Sequence, residues 1–214
     1  LNSNHPRDYD FERARYFLEA CRDLDPTLPG VNYHLSRVYF IQRQPIRALM
    51  SANAELRLST STPSIPQIYY MKGLIEGAIG HYATAAEDYE SFLALSPDGF
   101  NGWAGYNDYA WVLLKDGRAE EALVAIDNGL QRYPDNAWLL TIKTTALYEL
   151  GRLQEAATLG EQAVHAADAL TEEVWRSAYP GNDPRTTDDG LETIRRSTRE
   201  NLAKIKAELA GSVQ

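Results

Sequence analysis

Small residues recur along the chain at a nearly constant interval. Alanine occupies the recurring position in five segments, at steps of 34, 37, 37 and 34 residues: Ala14, Ala48, Ala85, Ala122 and Ala156. A second residue with a small or medium-sized side chain stands twelve positions before each of the last four alanines: Ser36, Gly73, Ala110 and Thr144. Small side chains at paired sites let two antiparallel helices approach closely at their crossing point. The pattern therefore predicts a series of helical hairpins.

Turn and stop residues follow the same register. Gly80, Gly117 and Gly151 each stand five residues before their alanine, where a residue just past a helix end often needs a positive φ. Arg43 takes this place in the first hairpin. Prolines recur twelve residues after the alanine, where a second helix must end before the next hairpin begins. These prolines are Pro26, Pro97 and Pro134.

This constellation resembles the tetratricopeptide repeat (TPR) family, in which helix-turn-helix units of about 34 residues stack into a right-handed superhelix. The resemblance covers residues 9 to about 169. The departures are Arg43 at the turn, no proline after the first and fourth hairpins, and Tyr or Leu at position 4, where the family often has Trp. The resemblance implies an all-α, right-handed α-solenoid of TPR helical hairpins.

The predicted organisation has three parts: an N-terminal tail at 1–8, the TPR-like solenoid at 9–169, and a loop with a C-terminal capping helix at 170–214. The solenoid comprises an orphan helix at 9–24 and hairpins at 30–58, 66–95, 103–132 and 136–168. The final helix, predicted at 188–209, has an apolar stripe: Leu191, Ile194, Leu202, Ile205 and Leu209. A solenoid needs a terminal element with one apolar and one polar face, which favours capping over partner docking for this stripe.

Charge and composition argue against several classes of function. The chain has 21 Lys and Arg against 30 Asp and Glu, a net charge of -9, which argues against binding a nucleic-acid backbone. No apolar run is long enough for a membrane helix, so direct membrane insertion is not expected. Cys21 is the single cysteine and is assigned to the core. The chain begins at Leu1, so we expect a cytoplasmic protein by default, or an extracytoplasmic one if an upstream segment was removed.

The resemblance also implies a binding surface for a protein or peptide ligand. TPR ligands usually lie in the concave groove that the first helix of each hairpin lines. The positions carried over are Tyr33, Arg37, Tyr70, Leu74, Asn107, Trp111, Lys115, Trp138, Thr141 and Tyr148. Aromatic rings with a few polar groups are typical of peptide hot spots. The alternative is that such aromatics pack against the next hairpin, with Phe40 and Tyr148 the first candidates. Tyr33 and Tyr70 stand where a carboxylate clamp would need Lys or another polar donor, so chaperone-tail recognition is not expected.

Catalytic and metal chemistry are not indicated. The four histidines have no ligand spacing, and the chain has no catalytic triad, phosphate loop or nucleotide fingerprint, so neither a cofactor nor catalysis is expected. Asp183, Asp188, Asp189 and Glu192 cluster near the start of the last helix. They fit helix capping better than calcium binding.

The leading interpretation is a protein-binding adaptor or scaffold. The alternatives are self-assembly through residues 9–24, or a noncatalytic domain of a larger exported or membrane-tethered protein.

Overall fold

A computed structural model describes residues 10–58, 65–98, 102–178 and 190–211 of the chain, and the regular structure within these ranges is helical. The eleven helices found there are α1 (Phe11–Leu24), α2 (Val31–Ile41), α3 (Pro45–Leu58), α4 (Ile65–Ala78), α5 (Tyr82–Leu95), α6 (Gly102–Lys115), α7 (Ala119–Arg132), α8 (Ala137–Glu149), α9 (Leu153–Ala169), α10 (Glu172–Ala178) and α11 (Gly190–Gly211). The all-α fold class is confirmed.

The described residues divide into two compact units. Unit 1 holds α1 and the hairpins α2–α3 and α4–α5, and unit 2 holds the hairpins α6–α7 and α8–α9 with α10 and α11. In each hairpin the two helices pack against one another, and in unit 1 α1 packs on α2. The last two helices therefore belong to the same unit as the hairpins that precede them.

The turn inside each hairpin contains a residue in the left-handed backbone conformation, with a positive φ, as the register predicts. Gly80, Gly117 and Gly151 have φ values of 85°, 76° and 71°. Arg43 adopts the same conformation with φ 60°, although its Cβ disfavours it. The first hairpin therefore keeps the turn geometry of the others at a cost in backbone strain.

Close helix crossings explain the paired small residues. Ser36, Ala48, Ala85, Ala110, Ala122 and Ala156 are all fully buried. At the α4–α5 crossing, a Cβ added to Gly73 would lie 2.9 Å from the ring of Tyr89, which is itself buried. A side chain larger than hydrogen has no room there, so the small residue at this position is a packing requirement.

A buried carboxylate holds the start of α2. Gly30 is the N-cap residue of this helix and has no side chain to accept from the first turn. Instead Glu55 of α3, fully buried, accepts hydrogen bonds from the backbone N–H groups of Gly30 at 2.7 Å, Asn32 at 3.1 Å and Tyr33 at 3.3 Å. The positive end of the helix dipole adds to this attraction. The two helices of the first hairpin are thus joined by a charge-assisted cap.

The capping helix α11 closes unit 2 against α9 and α8. Its own residues Ile205 and Thr198 are buried, and its Leu202 lies so close to Gly160 of α9 that a Cβ added to Gly160 would be 2.9 Å from the Leu202 Cδ1. Arg195 donates to the Leu170 carbonyl at 2.7 Å, just past the end of α9. A basic side chain satisfies the free carbonyls of a helix C-terminus in this way. The predicted cap is confirmed.

One core assignment is wrong. Cys21 is exposed, whereas the residues in the same register position of the four other second helices, Glu55, Phe92, Gly129 and Ala163, are buried. Glu55 and Phe92 contact the first helix of their own hairpin. α1 has the register of a second helix, but no described residues form a first helix beside it, so the register position does not place Cys21 in a core.

Candidate protein-binding faces

A row of three predicted binding residues lies along one side of α6. Asn107, Trp111 and Lys115 are spaced four residues apart, so they lie above one another on the helix surface. The Trp111 indole is 39% exposed, and the Lys115 ammonium lies 5.8 Å from the centre of its ring. Asn107 is half-buried, and its amide donates to the Asp108 carboxylate at 3.0 Å. This α6 row combines an exposed ring, a cation and an amide on one unit.

In unit 1, Tyr33 and Arg37 form a similar pair on α2. The Arg37 guanidinium lies 5.9 Å from the centre of the Tyr33 ring, and both side chains are half-buried. Burial raises the pKa of the Tyr33 hydroxyl, and the nearby Arg37 charge opposes that rise. The phenol therefore stays protonated at neutral pH and can donate or accept a hydrogen bond.

Tyr70 and Leu74, also in unit 1, follow one another on α4. The Tyr70 ring packs edge-on to Tyr89 at 5.7 Å and tilted against Phe92 at 5.2 Å, both buried residues of α5. Leu74 is half-buried. The Tyr70 ring therefore packs within its own hairpin, whereas the packing alternative places such aromatics against the next hairpin. Phe40, the other aromatic considered for packing in this unit, lies against the unit 1 core cluster.

The predicted binding residues of α8 contact other residues of unit 2. Trp138 is only 8% exposed and stacks on Trp103, with ring centres 4.4 Å apart, and on Trp175 of α10 at 5.9 Å. Trp138 is a core residue, which corrects its assignment to an open groove. The physical reason is that the two other indoles pack against it.

The other two predicted residues of α8 contact α11. The Thr141 hydroxyl donates to the Ala137 carbonyl at 2.7 Å and lies 3.4 Å from the Thr198 hydroxyl. The Tyr148 hydroxyl donates to the Glu208 carboxylate at 2.6 Å, and the Lys204 ammonium lies 4.7 Å from the centre of its ring. α11 is therefore more than the cap that the sequence predicts, because it supplies Lys204 and Glu208 beside Tyr148. The spacing of these two residues, four apart on the helix, was the available signal.

The α1 helix presents an unusual apolar face. Phe17 is 53% exposed, and Leu24 and Cys21 are also exposed. Phe17 stands three residues after Ala14, the recurring alanine of α1. The residues at the same position of the next three second helices are buried: Ser51, Asp88 and Ala125. The side of α1 that corresponds to the hairpin contact of the other units is therefore open to solvent at Phe17 and Cys21.

Within the described ranges no group of three or more His, Cys, Asp or Glu side chains is placed to hold a metal ion. The acidic cluster of Asp183, Asp188 and Asp189 lies outside the described residues. No described helix has the length and apolar character that crossing a membrane requires.

Comparison with solved structures identifies the fold. The crystal structure of MamA matches with a TM-score of 0.67 at 19% identity, over 74% of this chain and 90% of that one. YrrB, described as a TPR protein with an unusual peptide-binding site, matches with a TM-score of 0.60 at 14% identity, over 89% of this chain and 97% of that one. PilW, described as a type IV pilus biogenesis factor, matches with a TM-score of 0.65 at 15% identity, over 95% of this chain and 88% of that one.

No protein-family model and no curated protein matches the chain. The structural likenesses, together with the helix register, show that the chain has the tetratricopeptide-repeat fold. The predicted TPR resemblance is confirmed at the level of fold. Proteins of this fold stack helical hairpins to make extended concave surfaces.

Proposed function

We propose that this chain is a noncatalytic scaffold that binds a peptide or a helix of a partner protein, with the α6 row of unit 2 as its principal contact. The observation that carries the proposal is the partly exposed Trp111 between Asn107 and Lys115. The resemblance in fold to YrrB, whose structure is described as containing a peptide-binding site, supports the same class of function.

The chemistry of the α6 row suits a peptide. An indole buries a large area while losing little side-chain entropy, which is why Trp is enriched among the residues that dominate binding energy. Lys115 can donate to a peptide carbonyl or carboxylate, and Asn107 can both donate and accept. The ring would supply affinity and the two polar groups would fix the register of the bound chain.

Unit 1 carries a smaller surface that we include in the proposal. Arg37, held over the Tyr33 ring, offers a planar set of donors to a carboxylate, and Leu74 adds an apolar contact. Tyr148 and Thr141 contribute to the α8 face of unit 2 together with α11. Trp138 is left out because it is buried, and Tyr70 has a minor part because its ring packs on α5.

The test begins with peptides selected from a random displayed library on the wild-type chain, with affinities then measured by fluorescence anisotropy. We expect Trp111→Ala to weaken the selected peptides by at least about tenfold, the effect of a binding hot spot. Val124→Ala is the matched control because Val124 is an exposed apolar residue on α7, the other helix of the same hairpin. Equal affinity for wild type and Trp111→Ala would contradict the proposal.

Self-assembly is a second candidate, favoured by the open side of α1. Phe17 is a large apolar group that is exposed at a position buried in the next three repeats, and such an exposed position marks a surface fitted for a helix. A second copy of the chain is one source of such a helix, and pairing of the two open sides would bury Phe17 and Cys21 in both copies. The chain would then function as an oligomeric scaffold.

Self-association is measured by sedimentation velocity over a range of protein concentrations. We expect wild type to form a larger species that Phe17→Glu prevents, while Val124→Glu, an equivalent change on unit 2, leaves it intact. Cys21 gives an independent readout, because its labelling by a maleimide should slow as the species forms. A monomer at all concentrations, with a constant labelling rate, excludes this candidate.

A further inference from the structure

A cleft lined by three arginines lies within unit 1. It has a volume of about 470 Å³, and its walls come from α1, α2 and α3. Its cationic residues are Arg22 of α1 with Arg47 and Arg57 of α3, and Glu19 is its single acidic residue. The lining therefore has a formal charge of +2 in a chain whose net charge is -9.

The cations differ in how far they are already neutralised. Arg22 donates to Asp23 at 3.0 Å, and Glu19 accepts from the Tyr39 hydroxyl at 2.5 Å. Arg47 lies 5.7 Å over the Tyr39 ring. In the part of the chain that the structure describes, neither Arg47 nor Arg57 forms an ion pair. Two guanidinium groups thus face the cleft with their charge uncompensated.

The repeat provides an internal comparison. Unit 2 has the corresponding cleft between α7, α8 and α9, with a volume of about 350 Å³. There the Lys143 ammonium pairs with Asp127 at 2.6 Å and the Arg152 guanidinium pairs with Glu155 at 2.6 Å, so the lining is neutral. Tyr39 and Leu147 occupy the same register position in the two clefts, nine residues before Ala48 and Ala156. The excess of arginine belongs to this sequence in unit 1 and is not a property of the repeat.

The spacing of the two arginines defines the ligand. Arg47 and Arg57 are ten residues apart on α3, which corresponds to about 15 Å along the helix. An extended peptide covers that distance in four to five residues at about 3.3 Å each. Between the arginines, Met50 is 66% exposed and Ala54 is half-buried, so the middle of the cleft is apolar. The matching segment has acidic residues at both ends and an aliphatic residue between them.

We propose that this cleft binds an acidic peptide segment of a partner protein, with Arg47 and Arg57 as the residues that recognise its carboxylates. Arginine suits this role because its planar fork binds a carboxylate through two parallel hydrogen bonds. A nucleic-acid backbone fits less well, because two uncompensated cations displace few counterions and the acidic remainder of the chain repels phosphates.

The probe for this cleft is a fluorescein-labelled peptide, Gly-Glu-Glu-Leu-Leu-Glu-Glu-Gly, titrated with the full chain and followed by anisotropy. We expect saturable binding that weakens with added salt and falls at least about tenfold in the Arg47→Glu, Arg57→Glu double variant. The charge-matched control is Arg13→Glu with Arg196→Glu, two exposed positions outside the cleft, which should stay within about twofold of wild type. Arg57→Gln is a milder variant that keeps the helix surface polar and should lose part of the affinity.

Four outcomes overturn the proposal. These are the absence of saturable binding to wild type, equal losses in the cleft and control variants, equal binding of the peptide with Gln in place of Glu, and equal competition by a short single-stranded DNA. The last outcome would assign the cleft to polyanions in general. The variants leave the α6 row unchanged, so failure here is distinct from failure of the proposed peptide surface of unit 2.

Discussion

Removal of the Glu55 carboxylate should destabilise unit 1 more than most single substitutions. The three backbone donors it accepts from belong to the start of α2, and two of the three distances, 2.7 Å and 3.1 Å, are those of full hydrogen bonds. A hydrogen bond to a charged group contributes about 1.5–3 kcal/mol, and Glu55→Ala also leaves a cavity in a fully buried site. We expect Glu55→Ala to lower the free energy of unfolding by about 3–5 kcal/mol, a large share of a typical domain's stability.

The measurement is urea unfolding followed by far-UV circular dichroism. Glu55→Gln separates charge from packing, because the amide keeps the size and one accepting oxygen but loses the negative charge. It should cost about 1–3 kcal/mol, less than the alanine variant. Glu90→Ala, at an exposed glutamate of α5, is the control and should change stability by less than about 0.5 kcal/mol. A loss below about 1 kcal/mol for Glu55→Ala would refute the assigned role of the carboxylate.

Three further substitutions test the packing, the turn and the electrostatics. Gly73→Ala should destabilise by about 1–3 kcal/mol in urea unfolding, because the new Cβ would lie 2.9 Å from the buried Tyr89 ring. Arg43→Gly should stabilise by about 0.5–1 kcal/mol in the same assay, because glycine adopts φ 60° without strain and that gain exceeds its entropy cost. For Asp88, burial raises the pKa, and the hydrogen bond from Lys72 opposes the rise. The native carboxyl therefore takes up its proton at a higher pH than the unfolded one. As the pH falls through the native pKa towards 3.8, wild type should gain stability relative to Asp88→Asn, as unfolding at a series of pH values would show.

A specific experimental result would contradict each of these three predictions. Gly211→Ala, where an added Cβ meets nothing within 4 Å, sets the reference for Gly73→Ala, and equal effects would refute the crossing argument. A loss of stability in Arg43→Gly would mean that the arginine side chain outweighs its backbone strain. A stability difference between wild type and Asp88→Asn that is constant with pH would contradict the raised pKa.

The sequence predicts those features of the fold that repeat. The alanine register, the turn glycines and the stop prolines act locally, so they specify helices and turns without knowledge of distant residues. The Glu55 cap is of another kind. Its register position holds Phe92 in the next hairpin and Ala163 in the last, which favours an apolar assignment, and its partners lie 22 to 25 residues earlier in the chain. Nothing in the local pattern indicates that a carboxylate is buried there.

The candidate site was predicted less completely for the same reason. The α6 row follows from spacing on one helix, and the structure leaves its Trp111 partly exposed. Trp138 has the same kind of local signal, but Trp175 of α10, which lies 37 residues later in the chain, packs on it. Tyr148 likewise meets Glu208, 60 residues away. Whether an aromatic residue on a repeat helix faces solvent depends on what the non-repeating C-terminal segment covers.

The distribution of two residue types gives this chain built-in spectroscopic labels. All four tryptophans, Trp103, Trp111, Trp138 and Trp175, lie in unit 2, whereas the single cysteine, Cys21, lies in unit 1. Indole emission therefore reports on one unit alone, and a dye attached to Cys21 reports on the other. Recording both signals during one denaturation would show whether the repeats melt as a single cooperative block or in two steps, without any engineered probe site.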